Sequence, residues 1–410
     1  MGLGPGPKPS FREVGIAAED QVCATVSLCT TSDTEADSLC PPKAAVLDRS
    51  PSVSSIDEGL PDPRAPSTPT KDREGANLHV STICAAHGLM AGKYETGVRY
   101  FTDPASEHPY WRFFETAIVV LTTFGYMGFL HIFLVFMILS FFNRAAAILV
   151  AVALASVLLP AEPLRWPPLL NSPLLAAWRR YFQFSIAFDC PIDLKGKYIF
   201  AEFPHGVFPL SQHLAITLTD KVWPGMDIYS IAASSIFRVP MWRHVMSWIG
   251  ARPATARNFK KLLKRGSVGL VPGGIAEMYI LEEHAETVKI KDRKGFVRIA
   301  VEKGVPIVPV YHFGNSQLFR WGPKSWEKAA RKWRMAVGFI RGRWNLPLPE
   351  QVPLFMVVGK PIPVKQLKPT DPGYHQAVDE AHAALVLALE ELYYRYRGHY
   401  GWNDRPLIIH

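Results

Sequence analysis

Glu115 and Arg144 enclose 28 residues, 116 to 143, without a single Asp, Glu, Lys or Arg. A helix on the surface of a soluble domain keeps charged residues on its outer face, whereas about 20 apolar residues suffice to span the hydrocarbon core of a bilayer. Seventeen further uncharged residues follow Arg144 before Glu162, and Pro160 closes that stretch. Asn143-Arg144 lies between the two blocks and has the chemistry of a tight turn. This pattern predicts a helical hairpin that enters and leaves the same face of a membrane; one full span followed by an interfacial helix is the alternative. In a hairpin both flanks share a side, and Arg99, Arg112, Arg165, Arg179 and Arg180 on those flanks place it in the cytoplasm.

Composition changes on either side of the block. Residues 1–92 are rich in Pro, Ser, Thr, Gly and acidic residues, as in Ser50-Pro51-Ser52-Val53-Ser54-Ser55. Such runs bury too little apolar surface to offset the entropy of ordering, so this tail is expected to be disordered. Glu13, Glu19, Asp20, Asp33, Glu35 and Asp37 argue against an acid-poor transit peptide, and Gly6 stands where an N-myristoylation signal needs Ser or Thr. The net charge of +9 is uneven: 8 Lys+Arg against 13 Asp+Glu leave −5 in the first 95 residues, and the remainder carries +14. A basic body beside a membrane segment suits anionic headgroups or a phosphate-bearing substrate. Nucleic acid is not expected as a partner, because no basic stripe is interleaved with aromatics. The five cysteines, Cys23, Cys29, Cys40, Cys84 and Cys190, form no Cys-x-x-Cys pair and fit a reducing, cytosol-facing environment.

From about residue 183 short apolar runs alternate with helical patterns. Strands are predicted at 198–203, 227–233, 267–271, 306–311 and 354–358, and helices at 240–248, 258–264, 294–303 and 374–396. This alternation predicts an α/β domain: a mostly parallel sheet flanked by helices, with ligands bound beyond the carboxyl ends of the strands. The chain thus divides into a tail (1–92), a membrane hairpin with interfacial flanks (93–182) and the α/β domain (183–410).

Two loops at strand ends carry chemistry. The first apolar run breaks at Pro204-His205-Gly206, presenting one imidazole in a turn; a later one breaks at Pro272-Gly273-Gly274, with Glu277 just beyond. Transferring an acyl group from a thioester to a lipid alcohol needs a base for the hydroxyl proton, donors for the oxyanion and a site that excludes water. Imidazole titrates near neutral pH and suits the first task. Glycines let backbone N–H groups approach a substrate closely and suit the second.

Four ordered blocks together resemble the type-2 diacylglycerol acyltransferase family. They are Tyr198-Ile199-Phe200 with Pro204-His205-Gly206; Val271-Pro272-Gly273-Gly274 with Glu277; Arg293-Lys294-Gly295-Phe296-Val297-Arg298-Ile299-Ala300, continuing through Gly304 and Val308-Pro309-Val310 to Phe313-Gly314; and Val358-Gly359-Lys360-Pro361-Ile362. The resemblance runs from about residue 100 to the last residue. It implies a glycerolipid-acyltransferase-like fold, residence in the endoplasmic reticulum membrane with cytosolic termini, and access to lipid droplet surfaces. It also implies transfer of a fatty acyl group from acyl-CoA to the free hydroxyl of 1,2-diacylglycerol, giving triacylglycerol and CoA.

By the same resemblance His205 is the catalytic base and Glu277 orients the base or substrate. Pro204, Gly206, Pro272, Gly273, Gly274, Arg293, Lys294, Gly295, Phe296, Phe313 and Gly314 bind substrate, with Arg293 and Lys294 toward the CoA phosphates. No metal or other cofactor is implied, and a homo-oligomer is allowed. The chain departs from the family pattern in three places. Phe203 stands where many members carry His, and Asn315 stands where Glu or Gln is frequent. Leu210 occupies the fifth position past His205, so the His-x-x-x-x-Asp spacing of glycerol-phosphate acyltransferases is missing and the partner of His205 is left open. His213, eight residues past His205, is expected to pack on the following helix.

Other readings are weighed against this one. Monoacylglycerol or a long-chain alcohol could replace diacylglycerol as acceptor, with the chemistry unchanged. A hydrolase would want a nucleophilic serine, but there is no Gly-x-Ser-x-Gly elbow. A non-catalytic membrane scaffold would have no use for both His205 and the Gly-Gly loop.

Overall fold

A computed structural model of the protein describes residues 94–95, 98–102, 109–159, 162, 164–333 and 338–410. The tail expected to be disordered, 1–92, lies outside the described residues. In chain order the strands are β1 (Tyr94–Glu95), β2 (Val98–Thr102), β3 (Ser185–Phe188), β4 (Ile199–Phe203), β5 (Ile228–Ala232), β6 (Ala251–Pro253) and β7 (Ser267–Leu270). They continue with β8 (Glu286–Val288), β9 (Ile307–Phe313), β10 (Arg320–Gly322), β11 (Phe339–Arg341), β12 (Phe355–Val358) and β13 (Leu407–Ile409).

Nine strands form one sheet in the order β1-β2-β3-β12-β9-β4-β7-β5-β6. From β9 to β6 every neighbour is parallel. Beyond β9 the sheet reverses, with β12 antiparallel to β9 and parallel to β3, and β1, β2 and β3 joined antiparallel. The architecture is therefore α/β with a mostly parallel sheet flanked by helices. Residues 98–102, placed with the membrane unit on sequence grounds, contribute a strand to this sheet, so the boundary at 183 does not separate the sheet from what precedes it.

The central strand β4 shows why the sheet is covered on both faces. Successive side chains alternate across a strand. Ile199, Ala201 and Phe203 enter one buried cluster, shared with the helices Ala256–Arg265, Gly295–Lys303 and Tyr374–Tyr396. Tyr198 and Phe200 enter another, shared with the helices Leu210–Ile216 and Pro173–Tyr181 and with Val119 and Met127. Fully burying one such side chain contributes about 1.5–3 kcal/mol. Helix Ala256–Arg265 is capped by Thr255, whose hydroxyl accepts from Asn258 N at 3.2 Å. It buries Phe259, Leu262 and Leu263 and turns its basic side outward, where Lys260 pairs with Glu302 and Arg265 lies over the Tyr229 ring.

The long uncharged block is not one helix. Pro109–Met127 and Phe129–Leu139 meet at Gly128, and the helix pair is bent there by 66°. A Cβ on Gly128 would lie 2.7 Å from the Phe124 carbonyl oxygen, so only glycine fits this corner without a shift. Among the described residues no single helix is long and apolar enough to cross a membrane, but the bent pair is when taken together. Asn143 makes the expected turn: its side chain accepts from Ala145 N and Ala146 N and starts helix Arg144–Ser156, which packs back on Phe129–Leu139.

The first half of the bent pair is fastened to the domain. Trp178 Nε1 donates to Thr122 Oγ1 at 2.9 Å, Trp242 Nε1 donates to the Tyr126 carbonyl at 2.9 Å, and Arg180 pairs with Glu115. The second half buries none of its residues, and Phe141 and Phe142 just beyond it are 83% and 85% exposed.

Candidate active site

The carboxyl end of β4 delivers Pro204-His205-Gly206 to the mouth of the parallel part of the sheet. Gly206 takes a left-handed φ of +60°, and a Cβ there would lie 2.8 Å from the Asn315 carbonyl oxygen. The turn aims the Gly206 carbonyl at its neighbour's ring: His205 Nδ1 lies 2.9 Å from Gly206 O. A carbonyl can only accept, so Nδ1 carries the hydrogen and Nε2 keeps its lone pair. Burial lowers the His205 pKa below that of an ordinary histidine, partly opposed by the Gly206 carbonyl. The ring is thus held neutral, half-buried, with a bare nitrogen.

Glu277 holds this turn from behind. It is fully buried, Oε2 accepts from the His205 backbone N–H, and Oε1 accepts from Lys289 N at 2.9 Å. Its contact with His205 is therefore to the main chain: it positions the loop and does not pair with the imidazole. Burial pushes its pKa up to about 7, against the pull of the two N–H donors and of the nearby Arg293 charge. Gly273 serves the same clamp, since a Cβ there would lie 1.9 Å from Glu277 Oε1. For Gly273→Ala the carboxylate must leave its place, and a shift of the loop by about 1 Å should lower turnover on the order of 10²-fold. An unchanged rate per molecule in microsomes would show that the clamp is dispensable.

A second set of bonds closes over the turn from the other side. Asn315, fully buried after β9, donates from Nδ2 to the carbonyls of His205 (2.9 Å) and Pro204 (3.3 Å), and its Oδ1 accepts from Ser211 N at 3.1 Å. Gln212 Nε2 also donates to the Pro204 carbonyl, at 2.9 Å. Deeper in, His312 Nε2 lies 3.1 Å from Glu202 Oε2, and His312 Nδ1 lies 2.8 Å from Ser211 Oγ. Although these three have the residue types of a hydrolase triad, Ser211 is fully buried and sits on Nδ1, while the carboxylate sits on Nε2. A triad nucleophile is exposed and bonded to Nε2. Here the three tie helix Leu210–Ile216 to β4 and β9.

The profile of the diacylglycerol acyltransferase family matches residues 169–410. The chain belongs to the diacylglycerol acyltransferase family. Similar members include Diacylglycerol O-acyltransferase 2-like protein 6 of Bos taurus, 29% identical over 55% of this chain and 74% of that one. Diacylglycerol O-acyltransferase 2A of Umbelopsis ramanniana is 27% identical over 60% of this chain and 74% of its own length. Diacylglycerol O-acyltransferase 2 of Dictyostelium discoideum is 28% identical over 55% and 74%. A solved structure, the 1-acyl-sn-glycerophosphate acyltransferase PlsC of Thermotoga maritima, is similar over 69% of this chain and 97% of that one, at 15% identity and a TM-score of 0.34.

Within this family member the residues singled out by sequence separate into groups. His205, Pro204, Gly206, Gly273 and Glu277 meet at one clamp, with Arg293 close enough for its charge to act on Glu277. Pro272 and Gly274 flank Gly273, and Gly274 takes a φ of +55° with open space on its Cβ side. Lys294 is engaged elsewhere, 2.8 Å from Asp379 on helix Tyr374–Tyr396, and Gly295 opens helix Gly295–Lys303. Phe296 and Phe313 are corrections to the expected substrate surface. Both are core residues, and Phe313 stacks on Phe355, Tyr393 and Tyr400 because β9 runs two residues past its predicted end. Gly314 is structural too: with φ +84° it passes so close to Pro353 and Tyr400 that a Cβ would meet Pro353 O at 2.3 Å.

The sequence assigns no site role to Asn315, Gln212, Ser211, His312 or Glu202. One signal was visible: alternation along 307–313 puts His312 on the same face as Val308 and Val310, a lone polar residue in an apolar row.

Proposed function

We propose that this protein is a membrane-bound acyl-CoA:diacylglycerol acyltransferase in which His205 is the general base. Nε2 takes the proton of the glyceride hydroxyl as its oxygen attacks the thioester carbonyl. The tetrahedral intermediate collapses, the C–S bond breaks, and the imidazolium returns the proton to the leaving CoA thiolate. Triacylglycerol and CoA leave, and the ring is neutral again. The His205 backbone N–H is taken by Glu277, so the oxyanion falls to the N–H groups of Gly206 and the Gly273-Gly274 loop. Arg293, whose charge acts on Glu277, is assigned to the CoA phosphates. The reading needs no cofactor beyond acyl-CoA as donor substrate.

The observation that carries it is geometric: His205 Nδ1 lies 2.9 Å from the Gly206 carbonyl, which can only accept, so Nε2 is the nitrogen free to take a proton. Membrane residence rests on the Phe129–Leu139 helix and its exposed apolar surroundings, a patch that water disfavours and lipid tails accept. The hairpin leaves residues 1–92 and the domain on the cytosolic face of the endoplasmic reticulum, with lipid droplets within reach.

Microsomes containing the full chain, supplied with labelled acyl-CoA and separately with diacylglycerol, monoacylglycerol or a long-chain alcohol, test the reading. The expected product is labelled triacylglycerol, from a protein that stays with the membrane after high-salt washing. Labelled diacylglycerol or wax ester as the main product would move the assignment to another acceptor. Release of free fatty acid without any ester would end it.

A further inference from the structure

Next to the His205 loop lie polar atoms that the acyl-transfer chemistry leaves unused. Tyr126, in the last turn of helix Pro109–Met127, packs edge-on against Phe208 at 5.8 Å and against His213 at 6.4 Å between ring centroids. Phe208 belongs to the same loop as His205, and its ring lies 4.9 Å from that of His213. This aromatic box joins the end of the apolar helix to the catalytic turn. Inside it, Tyr126 Oη and His213 Nε2 are both buried without a hydrogen-bond partner, and so is Gln212 Oε1 one residue earlier.

Buried polar atoms nearly always have partners, and each exception calls for a reason. Some others here have a simple one: Arg165 Nε and Arg252 Nε belong to guanidinium groups that are ion-paired through another nitrogen, with Asp220 and Glu162. Tyr126 and His213 have no such excuse. His213 Nδ1 donates to the Pro209 carbonyl at 2.7 Å, so Nε2 is a bare acceptor. Burial lowers the His213 pKa to about 4, and the nearness of His205 adds to that, so the acceptor persists across the neutral range. The box therefore offers one hydroxyl that can donate and one nitrogen that can only accept. A partial glyceride carries the matching pair, an ester carbonyl beside a free hydroxyl; a simple long-chain alcohol has no ester carbonyl.

We propose that Tyr126 and His213 form the subsite that receives the glyceryl head of the acyl acceptor, on its way from the apolar helix pair to His205. Tyr126 Oη donates to an ester carbonyl and His213 Nε2 accepts from a glyceride hydroxyl. The inference rests on the acyltransferase reading and names the place where its lipid substrate is recognised.

Two measurements on the full-length membrane protein test it. Tyr126→Phe and His213→Phe should each raise the KM for diacylglycerol by about 2- to 12-fold, the worth of one net hydrogen bond, and leave the KM for acyl-CoA in place. His213→Gln, which restores an acceptor near the position of Nε2, should recover part of the loss. If the Tyr126 hydroxyl were merely unpartnered, removing it would be neutral or stabilising, so a lost acceptor affinity in Tyr126→Phe has no purely structural cause. The second measurement is labelling with a photoreactive diacylglycerol in the absence of acyl-CoA, expected within residues 120–130 and 208–214. An unchanged diacylglycerol KM in both phenylalanine variants, or a label confined to other segments, overturns the proposal. Labelling needs no turnover. A protein labelled in these segments that transfers no acyl group would therefore sink the acyltransferase reading, and an active enzyme labelled elsewhere would sink only the subsite.

Discussion

His205→Ala should lower triacylglycerol synthesis by about 10²–10⁴-fold, the range attributed to one positioned base, at unchanged protein level and membrane partitioning. The loss should fall on turnover more than on either KM, because the imidazole acts on a proton in flight. Activity that survives the substitution would remove His205 from the mechanism. The wild-type pH profile adds a sign test. Only the neutral ring can take a proton, so the rate rises with pH, and because burial lowers the His205 pKa its acid limb falls below that of an ordinary histidine. A limb near pH 7 belongs instead to Glu277, whose pKa burial raises to about 7. Below it, a hydrogen on the carboxyl would face the N–H groups that the carboxylate holds. That limb should vanish in Glu277→Gln while the lower one remains.

Glu277→Ala is expected to be the second large effect, felt in stability as well as rate. The substitution leaves the part-buried N–H groups of His205 and Lys289 without acceptors, at up to about 1–3 kcal/mol each. The catalytic turn loses its rear support, and turnover should drop on the order of 10²-fold from misplacement alone. Glu277→Gln should fall between wild type and alanine. Its amide oxygen replaces one acceptor, but its NH₂ meets the other N–H as donor against donor. Thermal unfolding in detergent, read together with the rate per folded molecule, separates the two losses. An alanine variant as stable and active as wild type would show that the main-chain contact is incidental.

The pH dependence of stability carries the same group. A buried acid with a raised pKa binds more protons folded than unfolded. Its stabilising contribution is full below the unfolded value near 4.5 and declines as pH rises through about 7. Glu286, also raised by burial, contributes with the same sign, so Glu277→Gln should reduce that slope without abolishing it.

Much of the architecture could be read from the residues because central parallel strands are covered on both faces and appear as short apolar runs ended by Pro or Gly. That is how 198–203 and 267–271 were placed within a residue of β4 and β7. The reversal at β9 and β12, and the strands 98–102 and 185–188 at the sheet's far side, depend on pairing between distant segments and leave little local trace. The corner at Gly128 is not legible because Gly125 and Gly128 sit three residues apart in the same apolar run, and nothing local tells which of them bends the helix. Phe313 was misjudged for a related reason: sharing a motif with a site residue says nothing about which face of a strand a side chain takes. Asn315 was noticed only as a departure from a family pattern, although it holds the carbonyls of Pro204 and His205. Glu277 was named from its block, but its contact is to a main-chain N–H, and no side-chain pattern encodes that.

The corner at Gly128 has a consequence for where the product goes. One arm of the bent pair is bolted to the domain through Trp178, Trp242 and Arg180, and the other carries bare apolar side chains. With the second arm in lipid, as proposed above, the corner would set how far the His205 turn lies from the apolar layer. A fully esterified glycerol has nothing left for water to grip, so the proposed reaction would release its product sideways among acyl tails, along the flank proposed for the acceptor's arrival.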